Sequence, residues 1–227
     1  MNGALELRSQ IDAIVEVCRS AIDLARGLSA DQGRLPTDCP GWTVQDHLSH
    51  MVGLEQVLDG APQPDVDLPP AAHVESDLDR YMEAPVHARR ALPIISIADE
   101  FDGMLGRRLE RYRSYAGQGD PDVPSPMGRT RPLSVALPIR VFDLWTHEQD
   151  MRRAVAQPMR LDGLAAPRVA DRITSAWPAA LAGSIDEVVG SLTLEITGPS
   201  PAVCVVQFGD GAGATASISG DLGLMAC

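Results

Sequence analysis

Of the five histidines, three fall in two segments with helical periodicity: His47 and His50 in one, His147 in the other. Asp143 precedes His147 by four residues, so on a helix the carboxylate and the imidazole leave one face a turn apart and can reach one divalent ion. A histidine from a facing helix would complete a three-ligand set with open positions, as in catalytic rather than structural zinc. Arg140 and Asp150 continue the polar line at steps of three and four beside an apolar stripe, which a metal pocket inside a helical bundle requires. A ligand imidazole usually donates its second N–H to a carboxylate or carbonyl, and Asp150 and Asp46 are candidates for that place. Taken alone, Asp143 and His147 suit a surface pair better than a metal site, and His47 suits either a ligand or a bystander.

The segments that would position these groups are helical. Leu7, Ile11, Ile14, Val15, Cys18, Ile22 and Ala25 predict an amphipathic helix over 4–28, ended by Gly27 and a polar loop over 29–40. Thr43 with Asp46 three residues on approximates a capping box and opens a second helix that runs to Asp59. Helices follow at 75–90 and 94–116, then a Gly-, Asp- and Pro-rich loop over 117–132 of the kind that often borders a site. The next helix, 134–155, carries Asp143 and His147 and tolerates Pro138 if it lies in the first turn. After a helix at 165–182 the texture changes to alternating, β-branched segments at 191–197, 203–208 and 214–219, and the glycines of 209–213 read as a turn. The chain therefore reads as mainly α, a helical bundle over 1–158 followed by a small C-terminal α/β domain over 159–227. It stops at Cys227, just after Asp221-Leu222 opens what reads as another helix, which leaves a natural end and a truncation both open.

Composition narrows the function classes. With 227 residues, 44% of them hydrophobic, the chain has enough material for a sizeable core. Nineteen basic against 31 acidic residues give a formal charge of -12, which repels nucleic acid and anionic lipid at long range. All the basic residues are arginine, so lysine chemistry is excluded. No apolar run approaches the roughly 20 residues that span a bilayer, and the first 30 residues lack a basic region followed by an apolar one, so a secretory signal is not expected. Cys18, Cys39, Cys204 and Cys227 are scattered and read as reduced thiols of a cytoplasmic protein. Cys39 precedes a helix N-terminus that can lower a thiol pKa, yet a structural place in the Cys-Pro-Gly-Trp turn, with Trp42 packed on the bundle, is the better reading.

Two stretches carry a resemblance. Pro36-Thr37-Asp38-Cys39-Pro40-Gly41-Trp42-Thr43-Val44-Gln45-Asp46-His47-Leu48-Ser49-His50 resembles the signature that opens the second helix in the mycothiol-dependent maleylpyruvate isomerase family, part of the DinB-like superfamily. Arg140-Val141-Phe142-Asp143-Leu144-Trp145-Thr146-His147-Glu148-Gln149-Asp150-Met151-Arg152 resembles its second signature. The resemblance implies a DinB-like four-helix bundle that holds a divalent metal, usually zinc, and by position the ligands are His50, Asp143 and His147. The isomerase has glutamate where this chain has Asp143; the shorter side chain must draw the helices closer, bind through water or accept another metal. The resemblance also implies mycothiol as cosubstrate, its thiol made more acidic by the metal, with isomerisation of, or transfer to, a small electrophile as the reaction.

The expected protein is thus a zinc- and mycothiol-dependent enzyme acting on a small molecule, without nucleic-acid or membrane partners. Its metal ligands are His50, Asp143 and His147, with Arg140 supplying positive charge and Asp150 supporting a ligand imidazole, these two being the candidate catalytic residues. Two alternatives stand beside it: a non-catalytic metal-binding or interaction module of the same fold, and metal-assisted hydrolysis with Asp150 or Asp46 as base. Metal content and thiol-dependent turnover separate the three.

Overall fold

The computed structural model describes residues 2–182, 190–208 and 214–222. Four long helices, α1 (Asn2–Arg26), α3 (Val44–Leu58), α5 (Ile94–Gly117) and α6 (Leu133–Ala154), enclose one core: α1 and α3 each pack against both α5 and α6. Ile11, Ile14 and Ile22 of α1 meet Leu48, Met51 and Leu54 of α3, Ile97, Phe101 and Tyr112 of α5, and Leu137 and Trp145 of α6 in that core, all nearly inaccessible to water. Burial of these apolar stripes, not intrinsic propensity, supplies most of the helices' stability.

Local chemistry fixes where α3 starts, and hence where His47 and His50 point. Thr43 Oγ1 accepts the Asp46 N–H while the Asp46 carboxylate accepts the Thr43 N–H, a complete capping box. Just upstream, Pro36 and Thr43 pair across a small closed loop in which the Thr37 N–H and hydroxyl both donate to the Trp42 carbonyl. One helical turn is hidden in the segment over 29–40 that reads as a loop: α2 (Ala30–Gly33), capped reciprocally by Ser29 and Gln32. Helix α4 (Asp77–His87), capped by Ser76 and Asp79, packs on α3 and is shorter than the 75–90 periodicity suggests. Between α5 and α6 lies a hairpin, β1 (Asp122–Ser125) and β2 (Arg129–Pro132), closed by Met127 and Gly128 at positive φ. Its second strand is exposed throughout, so no alternation marks it. Pro138 lies in the second turn of α6 rather than the first.

The chain divides into two compact units, Met1–Met159 and Arg160–Cys227. In the second, α7 (Ala165–Ala182) packs on β4 (Ala202–Phe208) of a three-stranded sheet ordered β4-β3-β5. Strand β3 (Gly190–Thr197) runs antiparallel to β4 and parallel to β5 (Ala214–Asp221). The fold is therefore mainly α, a four-helix bundle with a small C-terminal α/β segment. The turn expected over 209–213 and the helix expected beyond Leu222 lie outside the described residues. No helix among the described residues is long and apolar enough to cross a membrane.

Candidate metal centre

Helices α3 and α6 pack side by side and bring His50, Asp143 and His147 together at the floor of a cavity of about 560 Å³. His50 Nε2 lies 3.4 Å from Asp143 Oδ2, and His147 Nε2 lies 3.8 Å from Asp143 Oδ1. One donor atom from each of the three falls within 4.8 Å of the others. Trp42 forms a wall, its ring centroid 5.0 Å from that of His50 and 5.6 Å from that of His147.

His50 is 2% exposed, and neither of its ring nitrogens has a well-formed hydrogen bond; its one polar neighbour is Asp143 Oδ2, 3.4 Å from Nε2. A buried imidazole without partners costs on the order of 1–3 kcal/mol unless something outside the chain satisfies it. Protonation also suits a cation. Burial, reinforced by the neighbouring His50, pushes His147 down to about 3. Burial alone would raise Asp143, but the Arg140 guanidinium and the facing imidazoles prevail and hold it well below the usual carboxylate range. A neutral imidazole and an ionised carboxylate on α6, facing an unpartnered imidazole on α3, form the donor set a divalent ion takes without first displacing protons.

His47, buried and next to this set, fixes the tautomer of His147. The only proton of the Thr37 hydroxyl goes to the Trp42 carbonyl, which can only accept. The 2.8 Å contact between Thr37 Oγ1 and His47 Nε2 therefore has His47 as donor. Burial and the neighbouring histidines hold His47 well below the ordinary imidazole pKa, so it is neutral and its Nδ1 bears a lone pair. That lone pair accepts the N–H of His147 Nδ1 at 2.8 Å, which leaves the lone pair of His147 on Nε2, facing Asp143. A second grouping of possible donors, His47, His147 and Asp150, shares His147 with the first. His47→Ala is expected to weaken zinc binding by roughly 10–100-fold, with partial recovery in His47→Gln, whose amide oxygen can accept the same N–H. Competition against a chromophoric chelator measures it, and equal affinity in His47→Ala would contradict the assignment.

The other site candidates occupy different places. Arg140 is buried behind the triad, Nε on Glu55 at 2.8 Å and Nη1 on Asp143 Oδ2 at 2.9 Å, and does not line the cavity. Asp150 also lies outside the cavity lining, paired with Arg153 at 2.9 Å, and burial raises it to about 6 despite that arginine. Asp46 is occupied by the α3 cap and by Arg90 at 3.3 Å. Cys39 does line the cavity, but half-burial first, then the nearby Asp150 and Glu83, push its thiol up rather than down.

Sequence reasoning missed two wall residues, Glu83 and His73. Glu83 of α4 accepts the Trp42 indole N–H at 2.8 Å and the His73 imidazole at 3.3 Å, and pairs with Arg90 at 2.7 Å. Gly41, at φ 79°, allows this closure: a Cβ there would stand 2.2 Å from His73 Nδ1. Gly41→Ala is expected to destabilise the protein by about 1–3 kcal/mol through the positive φ and this clash. Urea unfolding would show it, and an unchanged midpoint would count against the contact.

Comparison with known proteins places this arrangement. A family model described as Mycothiol maleylpyruvate isomerase N-terminal domain matches residues 15–152, the stretch that holds the whole triad. Among solved structures, the chain resembles a crystal structure of a mycothiol-dependent maleylpyruvate isomerase at 15% identity and one of a histidine-to-alanine mutant of a protein so titled at 16%. Each alignment has a TM-score of 0.60 and covers 97% of this chain and 87% of the other. No curated protein matches by sequence.

Proposed function

The chain belongs to the mycothiol maleylpyruvate isomerase N-terminal domain family, and from that premise we propose that it is a cytoplasmic, mycothiol-dependent metalloenzyme acting on a small electrophile by isomerisation or thiol transfer. The observation that carries the reading is the unpartnered, buried His50 facing Asp143 and His147 in the floor of a cavity. These three residues would hold the ion, zinc in this reading; once bound it would supply a Lewis acid that makes a coordinated thiol acidic enough to be thiolate near neutral pH.

The chain's own residues do the rest. Asp143 offers the anionic donor, and Arg140, anchored on Glu55, fixes its rotamer and offsets its charge. His47 keeps the lone pair of His147 on Nε2. Trp42 excludes water from one side of the triad and is itself held by Glu83. Arg140 and Asp150 act as positioning residues from outside the cavity, Asp150 lying beside the His47–His147 contact. A substrate within the cavity would stand next to the metal-held thiol, an alignment that alone accounts for a large part of such a rate enhancement.

The test is turnover of zinc-loaded protein with a panel of activated alkenes, with and without mycothiol. Isomerisation or thiol consumption that needs both metal and thiol supports the reading. Thiol-independent hydrolysis would replace it with the hydrolase alternative, and metal uptake without any turnover would leave a binding module.

A further inference from the structure

We propose that the cavity takes a substrate whose outer end is a positively charged nitrogen group, recognised by Glu75 and Asp79, and that it disfavours carboxylates there. The inference rests on the proposed function only in taking this cavity as the place where substrate binds.

Four carboxylates line the cavity, Glu75, Asp79, Glu83 and Asp143, and no arginine does so among the described residues; the chain has no lysine to offer. Two of the four are matched from behind. Arg90 pairs with Glu83 at 2.7 Å, and Arg140 with Asp143 at 2.9 Å. The other two form no ion pair among the described residues, and Asp79, its pKa lowered first by its Ser76 hydrogen bonds, is also held down by the His73 imidazole of the same wall. Asp79 Oδ2 accepts the Ser76 hydroxyl and the N–H groups of Ser76 and Glu75, which fixes it in place without neutralising it. Glu75 is exposed and forms no ion pair. An acidic rim alone would be only a solvated surface; here it stands on the same cavity as His50, which is buried and unpartnered.

The charge count follows. Arg140 and Arg90 offset Asp143 and Glu83 one for one, which leaves the two carboxylates of the mouth, Glu75 and Asp79, unmatched by any arginine. A dicarboxylate would enter past both and meet no guanidinium to receive it. A cationic group would find two acceptors with open lone pairs, one of them held rigid by the α4 cap. At contact distance in partly screened surroundings one such charge changes affinity by about tenfold.

A matched series of four-carbon cis-alkenes separates charge from shape: maleate, maleamide and cis-1,4-diamino-2-butene. Binding to the full chain as purified is read from the Trp42 indole N–H resonance by nuclear magnetic resonance at low ionic strength, so no turnover is needed. The decisive quantity is the ratio of the diamine and maleate dissociation constants, compared between wild type and Glu75→Arg, because any contribution of bound metal is common to both. We expect the ratio to move at least tenfold towards maleate in Glu75→Arg and by roughly a third to a half of that, on a logarithmic scale, in Glu75→Gln. Glu75 has no role in the α4 cap through its side chain, so both variants should fold as wild type does. A ratio unchanged in both would overturn the proposal. If the ratio moves as expected but no thiol-dependent turnover is found, the proposed function falls and this inference stands.

Discussion

Protein prepared without a histidine tag and equilibrated with zinc is expected to retain about one ion per chain after dialysis, and the His50→Ala, His147→Ala double variant is expected to retain none. The reasoning runs through the donor atoms. Removing His50 takes away the unpartnered imidazole of α3, and removing His147 takes away the lone pair that His47 and Thr37 hold on Nε2; Asp143 alone, already bonded to Arg140, cannot hold a divalent ion against water. Because burial holds His147 neutral in the folded chain, little proton competition at that ligand weakens the wild-type site at neutral pH. Circular dichroism should show both proteins equally helical. A wild type that stays empty after exposure to zinc would sink the metalloenzyme reading outright.

Glu55→Gln is expected to cost about 3–5 kcal/mol of stability, because it leaves buried arginines without their counter-charge. Glu55 is 1% exposed, in the α3 stripe between Leu54 and Leu58. Its Oε2 accepts Arg108 Nε at 2.7 Å and the Tyr112 hydroxyl at 3.0 Å, and its Oε1 accepts Arg140 Nε at 2.8 Å. Two guanidiniums on one carboxylate, inside a bundle, cannot be rehydrated when that charge is deleted. For a chain of this size the loss corresponds to a fall in melting temperature on the order of 10 °C; a fall below about 2 °C would mean the network is not what holds the arginines in place.

The same residue sets a pH signature. Burial alone would raise Glu55, but Arg108 and Arg140 bring it down to about 2 from the usual 4.5. A folded-state value below the unfolded one contributes stability above pH 4.5 and loses it as pH falls from there towards 2, a contribution on the order of 3 kcal/mol. The stability gap between wild type and Glu55→Gln should therefore be flat above pH 5 and shrink below pH 4.5. A gap that widens on acidification would reverse the assigned sign.

Some of this was legible in the residues. Thr43 followed by Asp46 announces the start of α3, and the four-residue step from Asp143 to His147 announces that two donors share one face of α6. The helix read over 165–182 coincides with α7 at its observed bounds. What was not legible depends on long-range pairing. The role of His47 is set by Thr37, ten residues upstream in a closed loop, and by His147 on another helix; no spacing rule reports a tautomer. Glu83 reaches Trp42 across 41 residues, and α4 gives no local sign of it. The β1–β2 hairpin is too short and too exposed to leave a period. Glu55 did leave a signal: a single glutamate inside the apolar stripe of α3 needs a partner, and the chain's only cations are arginines.

Cys39 brings a sulfur to the wall of a cavity read here as the seat of thiol chemistry, and burial with Asp150 and Glu83 keeps its proton on. Disulfide exchange proceeds through the thiolate, so a thiol held protonated is kinetically quiet. Under the proposed function, this cysteine would be insulated from the small-molecule thiol beside it, competing poorly as a soft ligand and being captured slowly as a mixed disulfide. Burial is the largest cause of this protection and Asp150 and Glu83 add to it, so the carboxylates that keep Cys39 protonated are not the Glu75 and Asp79 of the cavity mouth.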